Sequence, residues 1–401
     1  MKPIGLLIST MNSGGAERVV SHLSHILSRD YDVHVILFED THMEYECGGT
    51  IHNLNVPAKE GSPFVKLKLM RQRVTALKKL IREEKLDCVI SFLDSPNFVN
   101  LPARVKGCRH VISIRNYSGL ENRQSLLLRL VDFTMKRLYR KADCVVAVSK
   151  LIEQDFRTRY HIPAERITTV YNPYNFDDML EKGAIPLSEE EAAFFDGHFV
   201  FANVGRIMYQ KGAWHLVKAF AKVHEKHPEA RLVIVGEDKS DGNLEALIGA
   251  LGLSDCVLLT GRTRNPYQYM KNAECYVLSS LFEGFPNAMV EAMACGCPTV
   301  AADCKSGPRE ILFEAPDLGA EITEVTRADY GVLVPDLEPE VCWEPEVFTE
   351  REGKLADAML SVMENDAERA TLAAEAEKRS HAFDFEACRK AFSNVIEGED
   401  R

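Results

Sequence analysis

Two carboxylates eight residues apart, Glu283 and Glu291, bracket the most informative stretch of this chain, Glu283-Gly284-Phe285-Pro286-Asn287 followed by Ala288-Met289-Val290-Glu291. The apolar run Tyr276-Val277-Leu278 precedes it, and Gly284 and Pro286 mark a turn from that strand into a helix beginning near Asn287. Asparagine is a favoured N-cap, and the first turn of a helix leaves backbone N–H groups unsatisfied at the positive end of its dipole. Such a terminus suits a phosphate or diphosphate. Glu291, about one turn inside the helix, and Glu283, just ahead of it, then flank one small volume where they accept hydrogen bonds from hydroxyls. An anion held by a helix terminus, with carboxylates beside it for diols, describes a sugar nucleotide. Two glutamates at this spacing also occur where they merely face water. The strand before them and Gly-Phe-Pro-Asn between them supply the specificity.

A second anion-binding device lies upstream. The apolar run 199–204 leads into Gly205-Arg206, then Lys211-Gly212 and a helix through Val223, which sets two cations beside a helix N-terminus. Near the start of the chain, the strand 3–9 runs into a loop holding Gly14-Gly15 and a helix from Ala16. That loop matches neither GxGxxG nor a P-loop, so a dinucleotide or ATP motif is not supported. The two glycines either let backbone approach a ligand closely or make a tight strand-to-helix turn.

The central stretch resembles the Glu-x7-Glu signature of the retaining glycosyltransferases of family 4 (group 1), which have the GT-B fold. Glu291-Ala292-Met293-Ala294-Cys295-Gly296, Pro298 and Ser306-Gly307-Pro308-Arg309-Glu310 continue the likeness, and Gly205-Arg206 with Lys211-Gly212 resembles that family's diphosphate clamp. The resemblance implies an α/β protein of two Rossmann-like doubly wound domains facing across a cleft. It implies a hexose or N-acetylhexosamine moved from a nucleotide diphosphate sugar, a UDP-sugar by expectation, to a glycan or lipid-linked saccharide, with no metal and no cofactor. Arg206, Lys211 and Glu283 would carry the catalysis, the cations neutralising the leaving diphosphate and Glu283 orienting the donor sugar. Glu291 would accept the ribose hydroxyls, helped by the backbone of Gly284, Phe285, Pro286 and Asn287. Gly14 and Gly15 would face the donor, and 256–263, ending at Thr263, resembles the segment that meets the nucleobase. On the acceptor side, Asp94, Arg115 and Asn116 fall at the carboxyl ends of expected parallel strands, where such sheets bind ligand. Many members carry a histidine in the loop corresponding to Arg115-Asn116; its absence here fits a reaction in which a phosphate oxygen takes the acceptor's proton. Two rivals share these features: a nucleotide-sugar epimerase of the same fold, and a non-catalytic sugar-nucleotide-binding subunit.

The elements that must position these residues follow an alternation of strand and helix. Strands are expected at 3–9, 32–38, 87–92, 110–114, 143–148 and 167–173, giving a parallel sheet of about half a dozen strands whose carboxyl ends bind ligand. The expected division is an acceptor-binding domain over 1–173, a hinge linker over 174–198, a nucleotide-sugar-binding domain over 199–380, and a last helix over 381–401 crossing back to the first domain. Within 64–85, Leu67, Met70, Val74, Leu77 and Ile81 form an apolar helix face, while Arg71, Lys78, Arg82 and Lys85 share another. The basic character continues through 123–141, at Arg129, Lys136, Arg137, Arg140 and Lys141. That basic face either docks on anionic lipid or is simply solvated. The segment 314–350 shows no periodicity and takes no role.

With 401 residues, 46% of them hydrophobic and 27% charged, the chain suits two soluble domains. Its net charge of −12 is uneven: residues 1–172 balance to +8 and the remainder to −20, which argues against nucleic acid wrapping the whole molecule. The eleven cysteines include no CxxC pair and read as reduced thiols. Asp30-Tyr31-Asp32 has the form by which some glycosyltransferases hold a metal, but it falls where a helix gives way to a strand and nothing else supports a site. His22 and His25 share a helix face without a third ligand. The apolar run Ile4 to Ile8 is too short for a signal peptide and no stretch is long enough to span a membrane, so a cytoplasmic protein is expected, at most peripheral on the inner face of the membrane.

Overall fold

The computed structural model describes residues 1–12, 14–39, 43–57, 62–116 and 126–399, without the side chains of Pro63 and residues 126–132. The chain divides into two compact units, Met1–Tyr174 with Phe385–Arg401, and Asn175–Asp384. In the first, seven parallel strands are arranged β3-β2-β1-β4-β5-β6-β7: β1 (Lys2–Ile8), β2 (Tyr31–Leu37), β3 (Thr50–Asn53), β4 (Cys88–Phe92), β5 (Arg109–Ile114), β6 (Cys144–Ala147) and β7 (Ile167–Thr169). Strands such as β1 and β4 are buried on both faces, which is why they read as unbroken apolar runs. β3, Thr-Ile-His-Asn, is a half-exposed edge strand without such a run, and so it adds one to the expected number. The helices Gly15–Leu27 and Phe385–Glu397 cover one face, with Val20, Leu23, Phe392 and Ile396 in a common core.

The helix Pro63–Glu83 departs from its expected face. Leu77 and Ile81 are buried, but Leu67 is 42% exposed and Phe64 82% exposed, so the first turns stand clear of the sheet. Arg71, Arg82 and Lys85 are exposed and Lys78 is half-buried. Arg129 lies outside the described side chains.

The second unit repeats the plan with seven strands ordered β10-β9-β8-β11-β12-β14-β13: β8 (Val200–Val204), β9 (Arg231–Val235), β10 (Val257–Gly261), β11 (Cys275–Leu278), β12 (Thr299–Ala302), β13 (Thr326–Ala328) and β14 (Gly331–Val334). All pairs are parallel except β13 with β14. The helices Ala213–Lys226 and Glu350–Glu364 pack on one face through Leu216, Val217, Phe220, Leu355 and Met359. Residues 174–198, expected as a hinge linker, carry secondary structure of their own. They form the helices Phe176–Gly183 and Glu189–Phe195, the second closed by a capping box between Ser188 and Glu191. Tyr269 donates a hydrogen bond to Glu191, which ties that helix to the second unit.

Candidate functional site

In the second unit the chain leaves β8 to build one side of the sheet, through β9 and β10, and later returns to β11 to build the other. The carboxyl ends of β8 and β11 therefore form the topological switch point, where open α/β sheets bind their ligands. Asn203 ties the two strands there, its Nδ2 donating to the Val277 carbonyl at 2.7 Å. Residues 205–212 leave the end of β8 and residues 279–286 leave the end of β11. Both loops from the sequence motifs thus arise at one place.

The loops are laced together. The Leu281 amide donates to the Gln210 carbonyl at 2.8 Å, the Ser279 hydroxyl to the Lys211 carbonyl at 2.9 Å, and Gln210 Nε2 to the Phe282 carbonyl at 2.9 Å. Gly212 has φ +56°, and a Cβ there would lie 2.3 Å from the Ser279 carbonyl oxygen, so the contact demands glycine. At the centre, Lys211 Nζ sits 2.6 Å from Glu283 Oε1. Glu283 is 6% exposed, and it also accepts from the Ser280 hydroxyl at 2.7 Å and from Gln210 Nε2 at 3.4 Å. A carboxylate so enclosed is tolerable because it is paired and hydrogen-bonded. Arg206, on the same loop as Lys211, is exposed to solvent.

The helix after the loop runs Asn287–Ala294, but its cap differs from the expected one. Pro286 stands at the N-cap position, Asn287 is the first helical residue, and no side chain caps the terminus. The Pro286 carbonyl takes the first helical bond, from the Met289 amide at 3.1 Å. Proline fixes the chain's entry to the helix by its own ring, which does the orienting work expected of asparagine. The loop is held from behind by the Ser306-Gly307-Pro308 turn. The Ser306 hydroxyl donates to the Gly284 carbonyl at 2.7 Å and the Glu283 amide to the Lys305 carbonyl at 3.1 Å. Gly307, at φ +102°, lies so close that a Cβ would come 2.3 Å from Pro286 Cδ. Phe285 and Pro286 are buried, whereas Asn287 is half-exposed.

Glu291 is 2% exposed. Beneath it the phenol of Tyr276 is wholly buried and held well above its ordinary pKa, first by burial and then by the carboxylates of Glu283 and Glu291. Both acids thus bear electrostatically on one buried group. Thr263, half-buried past the end of β10, accepts from the Asn265 amide at 3.2 Å. Sequence reasoning missed Ser280, Gln210 and Asn203, and quoted Ser306 in the likeness without giving it a contact. The first two are neighbours of the motif residues and could have been found as local partners. The other two act across the fold.

In the first unit the switch point lies between β1 and β4. Gly14, beyond β1, is extended and stands at the N-cap of the helix that Gly15 begins. Asp94, just past β4, is exposed and accepts from the Tyr139 hydroxyl at 2.9 Å. Asp94, Arg115 and Asn116 all line one small cavity of about 30 Å³. They differ in access: Asn116 is exposed, while Arg115 is 7% exposed and hydrogen-bonds to Asn172 and, at 3.4 Å, to the Ser113 hydroxyl. Burial lowers its guanidinium to about 10. Arg115 is therefore tied into the unit by its burial and hydrogen bonds. Leu93, between β4 and Asp94, has φ 72° and ψ 165°, a conformation nearly confined to glycine.

Asp30 and Asp32 lie at the amino end of β2, opposite the ligand-binding end, with Asp30 ion-paired to Arg389 and Asp32 3.4 Å from His34. His22 Nδ1 lies 3.2 Å from the Pro173 carbonyl. Among the described residues no cluster of His, Cys, Asp or Glu could hold a metal ion, and no helix is long and apolar enough to cross a membrane.

Residues 185–316 match the family Glycosyl transferases group 1, and residues 13–178 match Glycosyltransferase Family 4. An uncharacterized glycosyltransferase of Methanocaldococcus jannaschii is 31% identical over 84% of this chain and 84% of its own. The N-acetylgalactosamine-N,N'-diacetylbacillosaminyl-diphospho-undecaprenol 4-alpha-N-acetylgalactosaminyltransferase of Campylobacter jejuni is 30% identical over 96% of both chains. Among solved structures, sucrose-phosphate synthase of Thermosynechococcus elongatus superposes with a TM-score of 0.76 at 21% identity, covering 99% of this chain and 98% of its own. HepE of Anabaena in complex with UDP and glucose gives 0.73 at 19%, covering 99% and 100%.

Proposed function

Since the chain belongs to the family 4 (group 1) glycosyltransferases and has their GT-B fold, we propose that it transfers a hexose or N-acetylhexosamine from a UDP-sugar to a lipid-linked saccharide, with retention of configuration and without a metal. The observation that carries this reading is the Lys211–Glu283 pair, fixed at the switch point with Arg206 on the loop that carries Lys211.

Lys211 and Arg206 supply the positive charge on which a departing diphosphate can rest, in a setting built before substrate arrives. Preorganised charge of this kind is usually the largest catalytic contribution. Glu283 fixes the position of Lys211 and offers its carboxylate to donor-sugar hydroxyls. Glu291 takes the ribose, and the backbone of 284–287 lies along the phosphates. With no histidine at Arg115-Asn116, a donor phosphate oxygen takes the acceptor's proton as the acceptor attacks the face the diphosphate leaves. An epimerase would need no acceptor, and the basic first unit, which suits an anionic acceptor, counts against it.

Support for a lipid-linked acceptor comes from the Campylobacter relative, whose name specifies a diphospho-undecaprenol substrate. The bared start of the helix Pro63–Glu83 agrees with it: Phe64, Val65 and Leu67 are exposed beside Lys66, Lys68 and Arg71. Aromatic and aliphatic groups flanked by basic ones suit an anionic bilayer surface. The test is a panel of nucleotide sugars with diphospho-undecaprenol-linked acceptors, read by mass spectrometry and by NMR of the new anomeric centre, with and without EDTA. Transfer with an unchanged anomeric configuration, indifferent to EDTA, is expected. Inversion, or activity that EDTA abolishes and Mg²⁺ or Mn²⁺ restores, overturns the mechanism; isomerised donor without acceptor means an epimerase.

A further inference from the structure

Within 314–350, the segment that sequence periodicity leaves without a role, residues 338–348 are a strap laid along the helix Ala213–Lys226 and its preceding loop. The Tyr209 hydroxyl donates to the Pro339 carbonyl at 2.9 Å, and His215 Nε2 lies 2.9 Å from the Glu338 carbonyl. Trp214 meets Trp343 edge-on at 5.6 Å, and Lys222 Nζ lies 5.5 Å from the Phe348 ring. Between these contacts is a less ordinary one. Lys218, 2% exposed, turns its ammonium to the Val347 carbonyl at 2.9 Å and to Cys342 Sγ at 3.3 Å. On its other side the Cys342 thiol donates to Glu344 Oε2 at 3.2 Å.

Lysine, cysteine and glutamate in contact form an arrangement for oxidative chemistry. Of the eleven cysteines, nine are buried and only Cys47 and Cys342 are half-exposed. Burial pushes the Cys47 thiol up to about 11, which leaves little thiolate there. Cys342 instead has a cation against its sulfur and a carboxylate hydrogen-bonded to its thiol, and it belongs to a surface strap that solvent reaches. We infer that Cys342 and Lys218 are an oxidative modification site, at which a peroxide joins sulfur to nitrogen as a reversible Lys–Cys cross-link.

The chemistry takes two steps. The Cys342 sulfur, its thiol oriented by the hydrogen bond to Glu344, attacks one oxygen of hydrogen peroxide. The S–O bond forms, the O–O bond breaks, and the departing hydroxide takes the thiol proton and leaves as water. Sulfur is oxidised by two electrons to the sulfenic acid and the peroxide is reduced. Lys218, its ammonium proton lost to water that reaches the half-exposed Cys342, then attacks that sulfur as the neutral amine. The N–S bond forms, the S–O bond breaks, and hydroxide leaves with an amine proton as water. No second oxidant is needed, and a thiol reductant restores both side chains. The cross-link binds the strap to the helix that begins directly after Lys211-Gly212.

The experiment treats the full chain with one equivalent of hydrogen peroxide and maps proteolytic peptides by mass spectrometry. Expected is a joined pair containing Lys218 and Cys342, lighter than the sum of the two peptides by two hydrogen atoms and lost on adding dithiothreitol. It should be absent from Cys342→Ser and Lys218→Arg and persist in Cys47→Ser. Because Lys218→Arg alters a buried site and can fail to fold, Glu344→Gln is the second variant; it should slow the cross-link several-fold and keep the reduced protein's melting temperature. Oxidised wild type should melt several degrees higher than reduced protein, since the link closes a long loop in the unfolded chain. Oxidation at Cys47 in preference to Cys342, a Cys342 that stops at sulfinic acid unlinked, or an oxygen-bridged product overturns the inference. None of these readings depends on which sugar the protein transfers.

Discussion

Removing the charge on Lys211 separates what the Lys211–Glu283 pair does for the fold from what it does for catalysis. In Lys211→Met, Glu283 remains 6% exposed with only the neutral Ser280 and Gln210 donors left to it. Breaking a fully buried ion pair from one side costs about 3–5 kcal/mol. The Lys211 side chain keeps 21% of its exposure, so water reaches the vacated position and about 2–3 kcal/mol is the better expectation. For a unit the size of Asn175–Asp384, that lowers the melting temperature by roughly 4–12 °C. Glu283→Gln keeps the shape and strands only a partly solvated ammonium, so it should cost less. Adding Glu283→Gln to Lys211→Met removes the orphaned charge, and the pair should recover about 1–2 kcal/mol over the sum of the single changes. Turnover should not follow. Lys211→Met is expected to lower kcat/KM by about 2–4 kcal/mol, roughly 30- to 1,000-fold, and the double variant should stay as slow. Calorimetric melting and steady-state kinetics on the same preparations complete the cycle. A double variant that regains turnover along with its melting temperature would make the pair a structural one. A Lys211→Met protein that melts like wild type would mean that the pair is not formed in solution.

The two glutamates should fail differently. Glu291→Ala should raise the donor KM and weaken free UDP in titration calorimetry, whereas Glu283→Gln should lower kcat with UDP affinity nearly kept; the opposite pattern exchanges their roles. Gly307→Ala must place a Cβ 2.3 Å from Pro286 Cδ at φ +102°, so it should destabilise by about 1–3 kcal/mol and lose donor affinity; an unchanged melt would show the turn free to adjust. Vesicles with anionic lipid should float the protein in a salt-sensitive way, at about 1 kcal/mol per basic residue near the surface. Phe64→Ser and charge reversal at Lys66, Lys68 and Arg71 should each reduce that flotation, and equal binding to neutral vesicles would leave the helix merely solvated.

The sequence by itself determined whatever depends on neighbours along the chain. Buried parallel strands must be apolar on both faces, so β1, β4, β8 and β11 announce themselves as runs, and the glycine- and proline-bearing turns after β8 and β11 mark the two site loops. The edge strands β3 and β13 carry no such run, because one face or one edge of each meets solvent. Helices in 174–198 were hidden by their acidic, small-residue composition, which resembles that of a linker until a capping box and packing are counted. Asn287 looked like a cap because its residue type favours one, but the Gly307 contact and the proline ring set the geometry. Only the tertiary structure decided that Glu283 faces Lys211, 72 residues away, that Arg115 turns inward to Asn172, and that Lys218 meets Cys342 across 124. Torsion preferences and periodicity are local and can be read from a window of residues. Which side chains share a dielectric and a partner depends on strand order, and β8 lies beside β11 only because the chain doubles back after β10.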